Sequence, residues 1–161
     1  FGGCETLRSY GISPPLVTAP DQAHLNARDD LLERMPIAHL RFVEELQLIV
    51  GVGDYVFVHA GVRPGVALAK QTKKDLLWIR EDFLDGDHSH ERIVVHGHSW
   101  NDPRPVILPH RIGVDTGAYK TGILTAVRLE DGVVDFLSAD CARSEHCHEE
   151  MSGPTEMPGA G

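Results

Sequence analysis

The sequence predicts an α+β fold or a β-sandwich flanked by helices, and three observations predict it. Apolar residues in the first third of the chain recur at helical spacing. From Leu48 onward, short β-branched and aromatic runs take over. Between the last two runs, Glu130-Asp131-Gly132 supplies hairpin chemistry, so the sheet should end antiparallel. The length of 161 residues, with 42% hydrophobic and 24% charged, fits one globular domain.

Residues 13–20 hold Pro14, Pro15 and Pro20 and should form an irregular connector. A helix follows from Asp21 to about Met35, through Leu25, Leu31 and Leu32. Pro36 breaks it but suits the first turn of the next helix, where Ile37, Leu40, Val43 and Leu46 keep mostly helical spacing. Leu48-Ile49-Val50 and Tyr55-Val56-Phe57-Val58 read as strands buried on both faces, with Gly51-Val52-Gly53-Asp54 as the turn between them. The second half of 67–80 reads as helical. Ile93-Val94-Val95 is a further buried strand, and 105–108, 111–114, 123–129 and 133–137 are four more. From Ser138 the pattern dissolves, which divides the chain into one block over 1–137 and a disordered tail over 138–161.

A formal charge of −9 repels phosphate backbones and argues against nucleic-acid binding. No apolar run approaches the roughly 18 residues of a membrane-spanning helix. Three cysteines make no disulfide framework, so a reducing cytoplasm is the expected location. The chain opens at Phe1-Gly2-Gly3-Cys4-Glu5-Thr6-Leu7, which reads like the interior of a domain, and a fragment is expected. Cys141, His146, Cys147 and His148 lie close together near the end, at a spacing that matches no zinc pattern.

Three stretches carry chemistry: Val58-His59-Ala60-Gly61, Leu77-Trp78-Ile79-Arg80-Glu81 and Val95-His96-Gly97-His98-Ser99. In two of them a histidine ends a buried strand and small residues follow. A rigid strand with an open loop behind it can hand an imidazole to Zn, Mn or Fe. A histidine hydrogen-bonded in the core is the competing reading.

Together with Gly2-Gly3, Glu5-Thr6-Leu7 and Ser9-Tyr10-Gly11 at the start and Asp115-Thr116-Gly117-Ala118-Tyr119 later, these stretches resemble calcineurin-like metallophosphoesterases. Within that family they are most similar to the bacterial PPP-type serine/threonine protein phosphatases. The resemblance implies the C-terminal portion of a partial calcineurin-like metallophosphatase fold. Three earlier motifs of the family, GDxHG, GDxxDRG and GNHE, have no counterpart here.

By this resemblance His59 and His98 are metal ligands, and Arg80 grips the substrate phosphate. His96 is an outer partner that orients a ligand, and Asp115 and Tyr119 line the site. The general acid belongs to GNHE and is not in this chain. Without the resemblance, Arg80 reads as a surface ion-pair partner of Glu81 or Asp82. As a plain turn, Asp115-Thr116-Gly117 needs only that Gly117 adopt a positive φ. Where the family has GHTP, this chain has His98-Ser99-Trp100-Asn101, which alters the shape beside the metal.

The implied activity of the intact protein is hydrolysis of phosphoric monoesters on a phosphorylated protein or small phosphoester, by hydroxide activated between two divalent ions (Mn, Fe or Zn). Two alternatives are a diadenosine tetraphosphatase, or another nucleotide phosphoesterase of the same superfamily, and a truncated, non-catalytic binding module. The fragment alone is expected to be inactive.

Overall fold

A computed structural model describes residues 2–86, 90–99 and 102–140. The chain divides into two compact units, Phe1–Gln47 and Leu48–Gly161. The division falls where the helical period gives way to strands.

The first unit is helical: α1 (Gly3–Ser9), α2 (Asp21–Arg34) and α3 (Ile37–Glu45). The proline-rich segment is irregular as expected, and Pro36 precedes α3 as its cap. No sequence signal marks α1 as a helix. Its chain leaves through Gly11 at φ 72°, and the Arg34 guanidinium donates to the Gly11 carbonyl at 2.7 Å, tying the end of α2 to that turn. Among the described residues of this unit, Ile12 and Ala27 are the buried apolar ones.

The second unit contains β1 (Ile49–Val52), β2 (Tyr55–Val58), α4 (Lys73–Trp78), α5 (Glu81–Leu84), β3 (Ile93–His96), β4 (Val106–Leu108), β5 (Arg111–Gly113), α6 (Ala118–Thr121), β6 (Ile123–Glu130) and β7 (Val133–Asp140). Five strands form one mixed sheet in the order β1-β2-β3-β5-β4. The central pairs β2–β3 and β3–β5 are parallel, and the outer pairs are antiparallel. The α+β class holds. Of the expected sandwich, the described residues form this sheet and a separate two-stranded ladder, β6–β7.

Two boundaries and one burial reading are corrected. Gly51 and Val52 belong to β1, because the hairpin closes on Gly53-Asp54 with Val52 paired to Tyr55. β1 is also an edge strand with mostly exposed residues, since it has a neighbour on one side only. β7 continues to Asp140, where Ser138, Ala139 and Asp140 pair with Thr125, Leu124 and Ile123. An eight-residue ladder carries those weak strand formers along. The remainder of the expected tail, 141–161, with its Cys and His residues, lies outside the described residues.

The core of the second unit sits on the central strands. Val56, Val58 and Val94 pack with Ala60, Val62, Leu76, Ile79 and Phe83 from the crossover between β2 and β3. That crossover carries α4 and α5, and this placement brings the chemical side chains together.

Candidate functional site

The site is built at the carboxyl ends of two adjacent parallel strands. β2 ends at Val58, so His59 is the first residue beyond it; β3 ends on His96, and His98 lies two residues further. The two strand ends are tied by the Gly97 amide, which donates to the His59 carbonyl at 2.9 Å. The imidazoles then meet: His59 Nε2 and His98 Nδ1 are 3.2 Å apart. Ligands about 2.1 Å from a common ion and roughly tetrahedral would be about 3.4 Å apart, so this pair lies close to one edge of a divalent-metal site. No group of three or more His, Cys, Asp or Glu able to hold a metal occurs among the described residues. The two histidines fit a metal; a complete two-metal centre is not assembled among the described residues.

His98 is held in an unusual state. Its φ of 62° is left-handed, a conformation that costs a non-glycine residue on the order of 1 kcal/mol and that clusters at functional sites. Its ring stands edge-on to Trp78, with centroids 5.7 Å apart, and its buried Nε2 has no partner among the described residues. Burial holds the imidazole below its ordinary pKa. The positive charge of Arg80 and the neighbouring His59 push the same way, and Asp115 opposes them. A neutral imidazole is the form that ligates.

The sign of this shift sets two expectations for the metal-free protein. As pH falls through about 6.5 the unfolded chain takes up a proton before the folded one does, so stability declines from there. Removing the Arg80 charge should raise the midpoint of His98 toward the ordinary value. The check is a histidine NMR titration of the chain and of Arg80→Ala; an unchanged or lower midpoint in the variant would refute the assignment.

Arg80 occupies the corner between α4 and α5, with φ −134° and ψ −103°. It is exposed and forms no ion pair among the described residues, so the surface pairing expected from sequence does not occur. Asp82 is engaged by Arg63 instead, at 3.0 Å. Arg80 is close enough for its charge to act on His98.

His96 is 2% exposed and faces inward, its ring edge-on to Phe83 with centroids 4.8 Å apart. The Arg111 guanidinium can only donate, so His96 Nε2 accepts from it at 3.3 Å and Nδ1–H donates to the Gly97 carbonyl at 3.1 Å. The structure therefore places His96 behind the loop that carries His98.

Asp115 lies over Gly97, where an added Cβ would sit 3.5 Å from the Asp115 Cβ. Its Oδ1 accepts from the Gly117 amide at 2.9 Å. Gly117 has the expected positive φ of 67°. Buried Thr116 fixes the turn by donating to the Ile123 carbonyl at 2.7 Å. Tyr119, on α6, is 86% exposed. Trp100 and Asn101 lie outside the described residues.

Two features escape a reading of the sequence. One is the edge-on contact of Trp78 with His98. The other is a network in which Arg63 donates to Asp75 at 2.6 Å and to Asp82. Asp75 is buried, and its carboxyl is held below the usual range by the Arg63 hydrogen bond, with help from the Thr72 hydroxyl. Only the residue types flag these positions; no local spacing joins them.

No protein-family model matches the sequence, and no curated protein is significantly similar to it. Among solved structures, the chain is similar to the crystal structure of "a putative diadenosine tetraphosphatase", with a TM-score of 0.54 and 18% identity over 83% of this chain. The match spans 64% of the length of that protein. This likeness shows the fold.

Proposed function

We propose that this chain carries part of the site of a metal-dependent phosphoric-ester hydrolase. The observation that carries the reading is the facing pair His59 Nε2 and His98 Nδ1, 3.2 Å apart at two adjacent strand ends, with the Arg80 charge acting on the same imidazole. His59 and His98 would hold a divalent ion. When bound, such an ion polarises a phosphoryl oxygen and activates water.

The chain's own groups supply the rest. Arg80, with no carboxylate partner among the described residues, presents a guanidinium whose fork matches phosphoryl oxygens. Burial favours the neutral form of His98, which keeps an electron pair for the ion. Trp78 stands T-shaped against His98 and helps hold its ring in place.

Two substrate classes follow from different observations. The ordered motifs favour a phosphorylated serine or threonine on a protein. The fold neighbour's name favours a dinucleoside polyphosphate. The test uses the protein expressed from the complete reading frame that contains these residues, assayed with Mn²⁺ on a phosphoserine peptide and on diadenosine tetraphosphate. Metal-dependent turnover of either, lost by at least about 100-fold in Arg80→Ala, is expected. Phosphopeptide binding without turnover would establish the binding-module alternative and overturn the hydrolase reading.

A further inference from the structure

The chain that leaves His59 is latched to both sides of the corner that presents Arg80. The Ala60 amide donates to the Leu76 carbonyl of α4 at 2.9 Å. Three residues later, the backbone of Arg63 is clasped by Gln71: the Arg63 amide donates to Gln71 Oε1 at 2.7 Å, and Gln71 Nε2 donates back to the Arg63 and Val66 carbonyls at 3.0 and 2.8 Å. The guanidinium then forks. Nη2 donates to Asp75 Oδ1 on α4 at 2.6 Å, and Nη1 donates to Asp82 Oδ2 on α5 at 3.0 Å. The other Asp75 oxygen accepts from the Thr72 hydroxyl at 2.8 Å, so that carboxylate is fixed from both sides. Ile79 and Arg80 lie between the two helices that the fork joins.

We propose that Arg63 is a positioning residue: by spanning Asp75 and Asp82 it sets where the Ile79–Arg80 corner, and hence the Arg80 guanidinium, stands relative to His59. The inference rests on the reading of Arg80 as the phosphate-binding group. Only an arginine can do this, since its planar fork meets two carboxylates at once while a lysine offers one point charge. The exposed Asp82 arm is a poor source of stability by itself. Its value lies in the angle between α4 and α5.

The test uses the protein from the complete reading frame, its turnover of p-nitrophenyl phosphate with Mn²⁺, competition by inorganic phosphate, and thermal melting. Asp82→Asn keeps the Arg63–Asp75 pair and guards against simple unfolding; Arg63→Lys keeps the charge and loses the fork. Both should raise KM and the inhibition constant of inorganic phosphate about tenfold, the scale on which outer partners of a site are felt. kcat should change little, and the melting temperature of Asp82→Asn should match wild type. Arg80→Ala should weaken phosphate binding further. Unchanged constants in Asp82→Asn and Arg63→Lys, with Arg80→Ala weakened, would overturn the inference and leave Arg63 a purely structural residue. If Arg80→Ala also leaves phosphate binding unchanged, the Arg80 reading fails and this inference falls with it.

Discussion

Replacing His98 with alanine is expected to weaken Mn²⁺ or Zn²⁺ binding by the complete protein on the order of 100-fold or more. Loss of a partner merely behind a ligand costs about 10–100-fold in typical sites, and loss of the ligand itself should cost no less. His59→Ala should behave alike, because the two nitrogens form one edge of the site. The double variant should then lose little beyond either single one, since half an edge chelates nothing. His96→Ala discriminates: its ring faces Phe83 and Arg111, so its cost should appear mainly as stability. Calorimetric titration with the metal measures all four. Metal affinity that survives both His98→Ala and His59→Ala would place the ion elsewhere and remove the basis of the proposed chemistry.

What is legible in the sequence is local. Asp131-Gly132 announces a hairpin, and both residues take the positive φ values, 48° and 78°, that a two-residue turn of this hand requires. Pro36 stops one helix and opens the next. His59 and His98 are legible because a histidine after a β-branched run is placed by the strand itself, and parallel pairing of β2 with β3 then sets them side by side. Nothing local announces the partners. Arg63 reaches Asp75 and Asp82 across 12 and 19 residues, and His96 meets Arg111 across 15. Those contacts exist only once the crossover has folded back over the sheet. Arg80 shows the same limit from the other side. Sequence proximity favours a pair with Asp82, but tertiary packing gives that carboxylate to Arg63.

Phe83→Ala should cost about 3–5 kcal/mol of stability, the usual range for emptying a buried phenyl site. That is a large part of the roughly 5–15 kcal/mol that holds a domain folded. Phe83 is fully buried within the cluster of Val56, Val62, Leu76 and Val94, so few atoms can relax into the space. Its ring also closes over Gly61, the second residue after His59. A Cβ built on Gly61 would overlap the phenyl edge, and the φ of 152° there disfavours a side chain. Gly61→Ala should therefore destabilise by about 1–3 kcal/mol through overpacking. The two changes are coupled in a definite direction: the methyl introduced by Gly61→Ala would occupy part of the space that Phe83→Ala opens. The double variant should thus be more stable than the sum of the single effects by about 1 kcal/mol. Urea unfolding of the wild type and the three variants measures this. A cost below about 1 kcal/mol for Phe83→Ala, or strict additivity, would mean that this ring does not wall the segment carrying His59.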